Sequence, residues 1–135
     1  MTEIQALLLI KSILESADIH GIESFLAEDC EYMSTGRGII GRNRNETIEF
    51  LSSMAESIKA DNVPVTCKVM HITDVYEEDA LFREGRQGLT VSYESGDNYV
   101  YMIFVDVNDE GLVERIVSSQ ENYSIDYDDL RFGAD

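Results

Sequence analysis

The side chains in this 135-residue sequence best suited to proton transfer, metal binding or ligand orientation are two histidines, two cysteines and seven tyrosines. Cys30 and Cys67 are far apart, with no C-x-x-C spacing and no neighbouring histidine, so neither a zinc site nor a redox pair is signalled. Both read as small buried hydrophobes. His20 falls in a first helical turn and reads as exposed. His71 lies in a strand-like run, where a group titrating near neutrality could move protons. Tyr32, Ser34, Tyr93 and Tyr101 also lie on strand-like segments whose phase can turn them inward, and hydroxyls in an apolar cavity orient a ligand or polarise its carbonyl. The plainer alternative for each tyrosine is a core ring with a hydrogen-bonded tip, and for the histidine a structural or exposed position.

Several motifs fail on context. Gly36-Arg-Gly38-Ile-Ile-Gly41 matches G-x-G-x-x-G between a strand and a helix. Two helices precede that strand, however, and the sheet that follows reads as antiparallel, so dinucleotide binding is not expected and the glycines read as serving tight turns. Arg37, Arg42 and Arg44 form a basic island that could attract an anionic group or pair with the chain's own carboxylates. Self-pairing is the reading favoured by sequence. Asp126-Tyr-Asp-Asp-Leu lacks the glycine and terminal glutamate of a calcium loop. Asn45-Glu-Thr47 matches a glycosylation sequon, but no secretory signal accompanies it.

The elements that must position these groups follow from periodicity. Thr2 and Gln5 form a capping box, and Ile4, Leu7, Leu8 and Leu14 supply the apolar stripe of a first helix running to about Glu15. Asp18 can cap a second, shorter helix through Ile19, Ile22, Phe25 and Leu26. Cys30 to Thr35 reads as a first strand, and Ile39-Ile40 as a very short second one. A third helix carries Ile48, Leu51, Met54, Ala55 and Ile58, with Asn45 as its N-cap and Asp61-Asn62 at its end. From Val63 the period becomes two, and the phase slips through Met70, His71 and Ile72 as at a β-bulge. Glu77-Glu78-Asp79 reads as a turn, with Ala80-Leu81-Phe82 as a strand edge. A hairpin follows, joining Leu89, Val91 and Tyr93 through Ser95-Gly96-Asp97 to Tyr99–Val107. That last segment is apolar on both phases, as a strand covered on both faces would be. Leu112 to Ser119 forms the final strand, and the acidic end is read as frayed. Helices first and antiparallel strands after make an α+β domain. Residues 1–125 form one domain and 126–135 an acidic C-terminal tail.

Charge limits the partners. Ten Lys and Arg against 27 Asp and Glu give a net charge of -17, which repels phosphate backbones and anionic membranes, so neither nucleic acid nor membrane is an expected partner. No apolar run is long enough to span a bilayer, and with no leader-like N-terminus the expected compartment is the cytoplasm. Neither cofactor nor metal is indicated.

Asp18-Ile-His-Gly-Ile-Glu-Ser-Phe-Leu-Ala-Glu-Asp-Cys-Glu-Tyr, Gly41-Arg before Glu46-Thr-Ile-Glu-Phe-Leu, and Phe104-Val-Asp-Val-Asn-Asp-Glu-Gly-Leu-Val-Glu-Arg-Ile resemble the nuclear transport factor 2-like superfamily, in particular its SnoaL-like and ketosteroid-isomerase-like branches. The resemblance spans roughly Ile4 to Ser119. It implies a cystatin-like cone, in which three N-terminal helices pack in a strongly curved, mixed but mostly antiparallel sheet that leaves a pocket at its open end. Matched to the isomerase pattern, the tyrosine position falls near Ile10, the base near Ser34 and the second acid near Ile103, none of which can do that chemistry. No catalytic set is assigned. The pocket candidates are Tyr32, Ser34, His71, Tyr93, Tyr101 and Ile103, and the expected function is binding of a small apolar organic ligand. The alternatives are a homodimeric interaction module with a closed cavity, suggested by the doubly apolar Tyr99–Val107, and a SnoaL-like lyase or isomerase using His71.

Overall fold

The computed structural model describes residues 1–62, 64–75, 82–93, 99–120 and 125–130. In order these form α1 (Glu3–Ser16), a 3₁₀ turn (Ile22–Phe25), β1 (Leu26–Ser34), β2 (Gly38–Gly41), α2 (Arg44–Asp61), β3 (Val65–Val75), β4 (Gln87–Tyr93), β5 (Tyr99–Val107), β6 (Val113–Gln120) and β7 (Ile125–Asp129). The strands make one sheet in the order β2-β1-β6-β5-β4-β3-β7, antiparallel throughout except where β1 lies parallel to β6. The chain is therefore α+β with a mixed, mostly antiparallel sheet.

α1 begins as its capping box requires: the Gln5 amide donates to Thr2 Oγ1 at 3.2 Å and the Thr2 amide to Gln5 Oε1 at 2.9 Å. Its buried stripe is Ala6, Leu7, Ile10, Ile13 and Leu14, while Leu8 faces out. The helix packs on β3, β4 and β5, and α2 packs on β1 and β2. Near the end of α1, the Glu15 carboxylate accepts the Cys67 amide at 3.0 Å and pairs with Lys11. Burial raises the Glu15 pKa, but the Lys11 and Cys67 hydrogen bonds outweigh it and hold the carboxyl below its ordinary value.

Only two α-helices occur among the described residues, not three. The expected second helix is a single 3₁₀ turn, because Gly21 before it takes a left-handed conformation (φ 82°) and Leu26 after it is extended. Asp18 does not cap a helix; its side chain accepts the His20 amide at 3.0 Å in a local turn. β1 consequently starts at Leu26 rather than Cys30. The N-cap of α2 is Asn43, whose side chain accepts the Glu46 amide at 3.0 Å, two residues before the expected Asn45. Residues 125–129, assigned by sequence to a frayed acidic end, form β7 and pair with the outer edge of β3.

The slip of phase at Met70–Ile72 is not a bulge in the β3–β4 ladder, whose register runs without a break from Val65↔Tyr93 to His71↔Gln87, although the pairing of β3 with β7 does shift between Ile72 and Asp74. Cys67 and Val69 face the helices, whereas Met70 and Ile72 are buried on the opposite face with Met102, Phe104 and Phe82. Both faces of the sheet are covered there, so both phases are apolar. Phe82 meets Phe104 edge-on with centroids 5.5 Å apart, and the Arg86 guanidinium lies 5.0 Å from the centre of the same ring while pairing with Asp106 at 3.1 Å. The segments Glu77-Glu78-Asp79, Ala80-Leu81 and Ser95-Gly96-Asp97, Val63, and residues 131–135 lie outside the described residues.

α1 closes on Ala17 with a left-handed φ of 55°. A β-carbon in that conformation costs about 1–2 kcal/mol, partly offset by the greater unfolded-state freedom of glycine. Ala17→Gly is expected to stabilise the protein by about 0.5–1 kcal/mol, read as a higher midpoint in urea unfolding. An unchanged or lower midpoint contradicts the strain at this cap.

Candidate functional site

A cleft opens between α2 and the sheet at the end of β4 where Tyr93 lies. Its main chamber has a volume of about 570 Å³ and is lined by Tyr32 and Ser34 of β1, Gly36 and Arg37 of the following turn, Ile40 of β2, Phe50 and Met54 of α2, Tyr93 of β4, Tyr101 of β5 and Ser118 of β6. A second chamber of about 340 Å³ shares Phe50, Met54 and Tyr93 and continues along α2 past Ser53, Ser57 and Ile58 to Asp61. Together they make one trough with a polar wall of hydroxyls and an apolar wall of helix side chains.

Strand register sets the polar wall. Ser34 stands beside Ser118 across the parallel β1–β6 pair, and Ser118 stands beside Ile103 across β5–β6. Tyr101 lies two residues from Ile103 on the same face of β5, diagonal to Tyr93 on β4. The two tyrosine rings stack with centroids 5.7 Å apart, and their hydroxyl oxygens are 2.8 Å apart. Burial, then the Tyr93 hydroxyl beside it, pushes the Tyr101 phenol far above its ordinary value. Burial likewise pushes Tyr32 up to about 12, opposed in part by a hydrogen bond with Ser118. These two phenols stay protonated at neutral pH, so they serve as hydrogen-bonding hydroxyls and not as bases. The Tyr32 ring packs on Phe50 with centroids 4.5 Å apart, joining the polar wall to the helix.

Four of the six pocket residues expected from sequence, Tyr32, Ser34, Tyr93 and Tyr101, meet in the cleft. His71 and Ile103 do not. His71 shares the inward phase of Cys67 and Val69 but pairs with Gln87, six register positions from the Val65↔Tyr93 pair and thus about 20 Å away along the strand. Its Nδ1 is buried with no hydrogen-bond partner among the described residues. Ile103, 1% exposed, belongs to the core beneath the cleft floor, as does Ile10 on α1. Phe50, Ile40 and Ser118 were missed by sequence reasoning. Phe50, Met54 and Ile58 recur at four-residue spacing beside the buried Leu51–Ala55 row, which makes the apolar arc of α2 wider than packing on the sheet uses.

The glycine motif is a β-hairpin followed by a close contact. The Arg37 amide donates to the Ser34 carbonyl at 3.2 Å, closing the turn, and a β-carbon on Gly41 would lie 2.9 Å from the Thr47 amide nitrogen at the start of α2. Self-pairing of the basic island does not occur: Arg37, Arg42 and Arg44 form no ion pair among the described residues, whereas Lys11, Lys68, Arg86 and Arg115 do. Among the described residues no cluster of His, Cys, Asp or Glu has the geometry to hold a metal, and no helix is long and apolar enough to cross a membrane.

The sequence matches no known family model and no curated protein. Solved structures, in contrast, match over most of the chain. A nuclear transport factor 2-like protein of unknown function from Mesorhizobium loti superposes with a TM-score of 0.61 at 13% identity, covering 89% of this chain and 91% of that one. An epoxide hydrolase/cyclase-like enzyme of pyran ring formation in the polyether salinomycin gives 0.58 at 12% identity, with 91% and 93% covered. A protein from Silicibacter pomeroyi with a cystatin-like fold gives 0.57 at 16% identity, with 84% and 72% covered. At these identities the likeness shows the fold alone: the chain shares the α+β, cystatin-like fold of these nuclear transport factor 2-like proteins, with two α-helices among the described residues where the resemblance implied three.

Both cysteines are free and buried. Burial pushes the thiol of Cys30 up to about 11 and that of Cys67 to about 12. Iodoacetamide at pH 8 is expected to alkylate both at least about a hundredfold more slowly in the native protein than in guanidinium, as followed by intact mass. Rapid native labelling contradicts the packing of β1 and β3 against the helices.

Proposed function

We propose that this protein binds a small, largely apolar organic molecule in the cleft between α2 and the sheet. The observation that carries this reading is the trough itself. Phe50, Met54 and Ile58 offer an apolar wall, opposite which Tyr32, Tyr93, Tyr101, Ser34 and Ser118 place five hydroxyl groups. Ligand sites typically combine such a mainly apolar surface with a few convergent polar groups, in cavities of about 300–1,000 Å³. Phe50, Met54 and Ile58 remain only partly buried although each packs on the core, which leaves apolar surface for a ligand to cover.

The lining supports binding more than turnover. Among the described residues of the main chamber there is no carboxylate, histidine or cysteine, and the raised phenols of Tyr32 and Tyr101 cannot accept a proton near neutrality. A lyase or isomerase using His71 would need that ring some 20 Å from where it stands along β3. The structural neighbours include an epoxide hydrolase/cyclase-like enzyme, but at 12% identity the likeness extends to the fold alone. The homodimer reading loses its motive, because Met102 and Phe104 on the outer phase of β5 are already covered within the chain, with Phe82 packed against them.

Native mass spectrometry of gently purified protein, with a thermal-shift screen of apolar compounds, tests this reading. Compounds of roughly ten to twenty heavy atoms are expected to raise Tm. Met54→Trp, which fills the junction of both chambers, should abolish the rise while leaving a cooperative unfolding transition. A screen with no stabilising compound, or shifts that survive Met54→Trp in the folded variant, overturns the reading.

A further inference from the structure

Resting on the reading of the cleft as a ligand site, we infer that its ligand is an anion: a carboxylic acid with an apolar body, held by its carboxylate at Arg37. Local charge points this way. The chain carries 27 acidic residues, yet residues 32–45 contain none, and that stretch supplies five lining residues of the main chamber: Tyr32, Ser34, Gly36, Arg37 and Ile40. The same stretch holds Arg37, Arg42 and Arg44. On a protein of net charge -17, the main chamber has a cation and no carboxylate among its described lining residues.

Arg37 itself is placed to receive an anion. Its backbone closes the β1–β2 turn through the Ser34 carbonyl, its exposed side chain lines the main chamber, and no carboxylate within 4 Å among the described residues competes for its guanidinium. A guanidinium binds a carboxylate through two parallel N–H donors, a geometry a neutral ester cannot match in charge. The far end of the trough gives the ligand a direction. Asp61 lines the second chamber beyond Ile58, so an anionic head is repelled there and attracted at Arg37, leaving the apolar body along Phe50, Met54 and Ile58.

The test uses 4-phenylbutyric acid, its methyl ester and 4-phenylbutanol, titrated calorimetrically into the full chain. The acid is expected to bind up to about fivefold more tightly than the ester or alcohol, the upper end of what one exposed ion pair is worth. Arg37→Ala should abolish the preference for the acid over the ester, whatever it does to the affinity of both, and Arg37→Lys should keep part of that preference. Raising salt from 20 to roughly 300 mM should weaken the acid and not the ester, because attraction to Arg37 is screened; acid binding that strengthens with salt, the mark of the protein's overall negative field, overturns the inference. Equal affinity for acid and ester in the unaltered chain, or an acid preference that survives in Arg37→Ala, overturns the anion inference while the cleft reading stands. If none of the three binds and the broader apolar screen is also blank, both readings fall.

Discussion

Two-sided burial of β5 is the constraint on which the rest of the structure depends. Tyr101, Ile103 and Val105 face the helices while Met102 and Phe104 face the outer cluster with Phe82, all 7% exposed or less. A shift of one residue in the pairing of such a strand would exchange its faces, driving Met102 and Phe104 into the helix side and the Tyr101 hydroxyl into the outer core. The register is thereby pinned against both neighbours, Leu89↔Ile103 on β4 and Ile103↔Ser118 on β6. The outer side has little slack, since a β-carbon on Gly88 would come within 2.7 Å of the Phe104 ring. Once Ile103 is fixed in the core, Tyr101 must stand two residues nearer the strand's start, where the helices no longer fill the space.

The cleft is the consequence of that geometry. α1 covers β3, β4 and β5, α2 covers β1 and β2, and the gap at the Tyr93 end of the sheet is lined by tyrosine rings and hydroxyls from the strands and by Phe50 and Met54 from α2. Burying phenols without charging them suits such a wall, because a neutral hydroxyl with a hydrogen-bond partner is far cheaper to bury than an ion. It also limits the chemistry of these groups: the raised phenols of Tyr32 and Tyr101 can hold and orient a ligand and polarise an oxygen, but do not act as bases near neutral pH.

Much of the fold was legible in sequence because its signals are local. The capping box of α1, the long apolar arc of α2 and the doubly apolar β5 each express a short-range rule and each formed as read. The second helix was misread because Ile19, Ile22, Phe25 and Leu26 fit a helical spacing over too few residues to outweigh a left-handed Gly21. β7 was missed for the opposite reason. Ile-Asp-Tyr-Asp-Asp has little strand propensity of its own, and it pairs because β3 offers an open edge, with Lys68 3.6 Å from Asp129. The site divides in the same way. Strand phase puts Tyr32, Ser34, Tyr93 and Tyr101 on the helix-facing side with His71 and Ile103, but phase assigns a face and not a depth, so the first four line the cleft and the last two do not. Phe50 and Ser118 enter only through the tertiary arrangement of α2 and β6.

The central claim, that the trough under α2 is where a ligand is held, is tested most directly by mapping amide and side-chain methyl NMR shifts during titration with a stabilising compound. The account predicts perturbations concentrated on Ser34, Arg37, Ile40, Phe50, Met54, Ile58, Tyr93, Tyr101 and Ser118, with Met70, Ile72 and Met102 on the outer face unmoved. Perturbations centred on the outer cluster, or on His71 at the far end of β3, would contradict it.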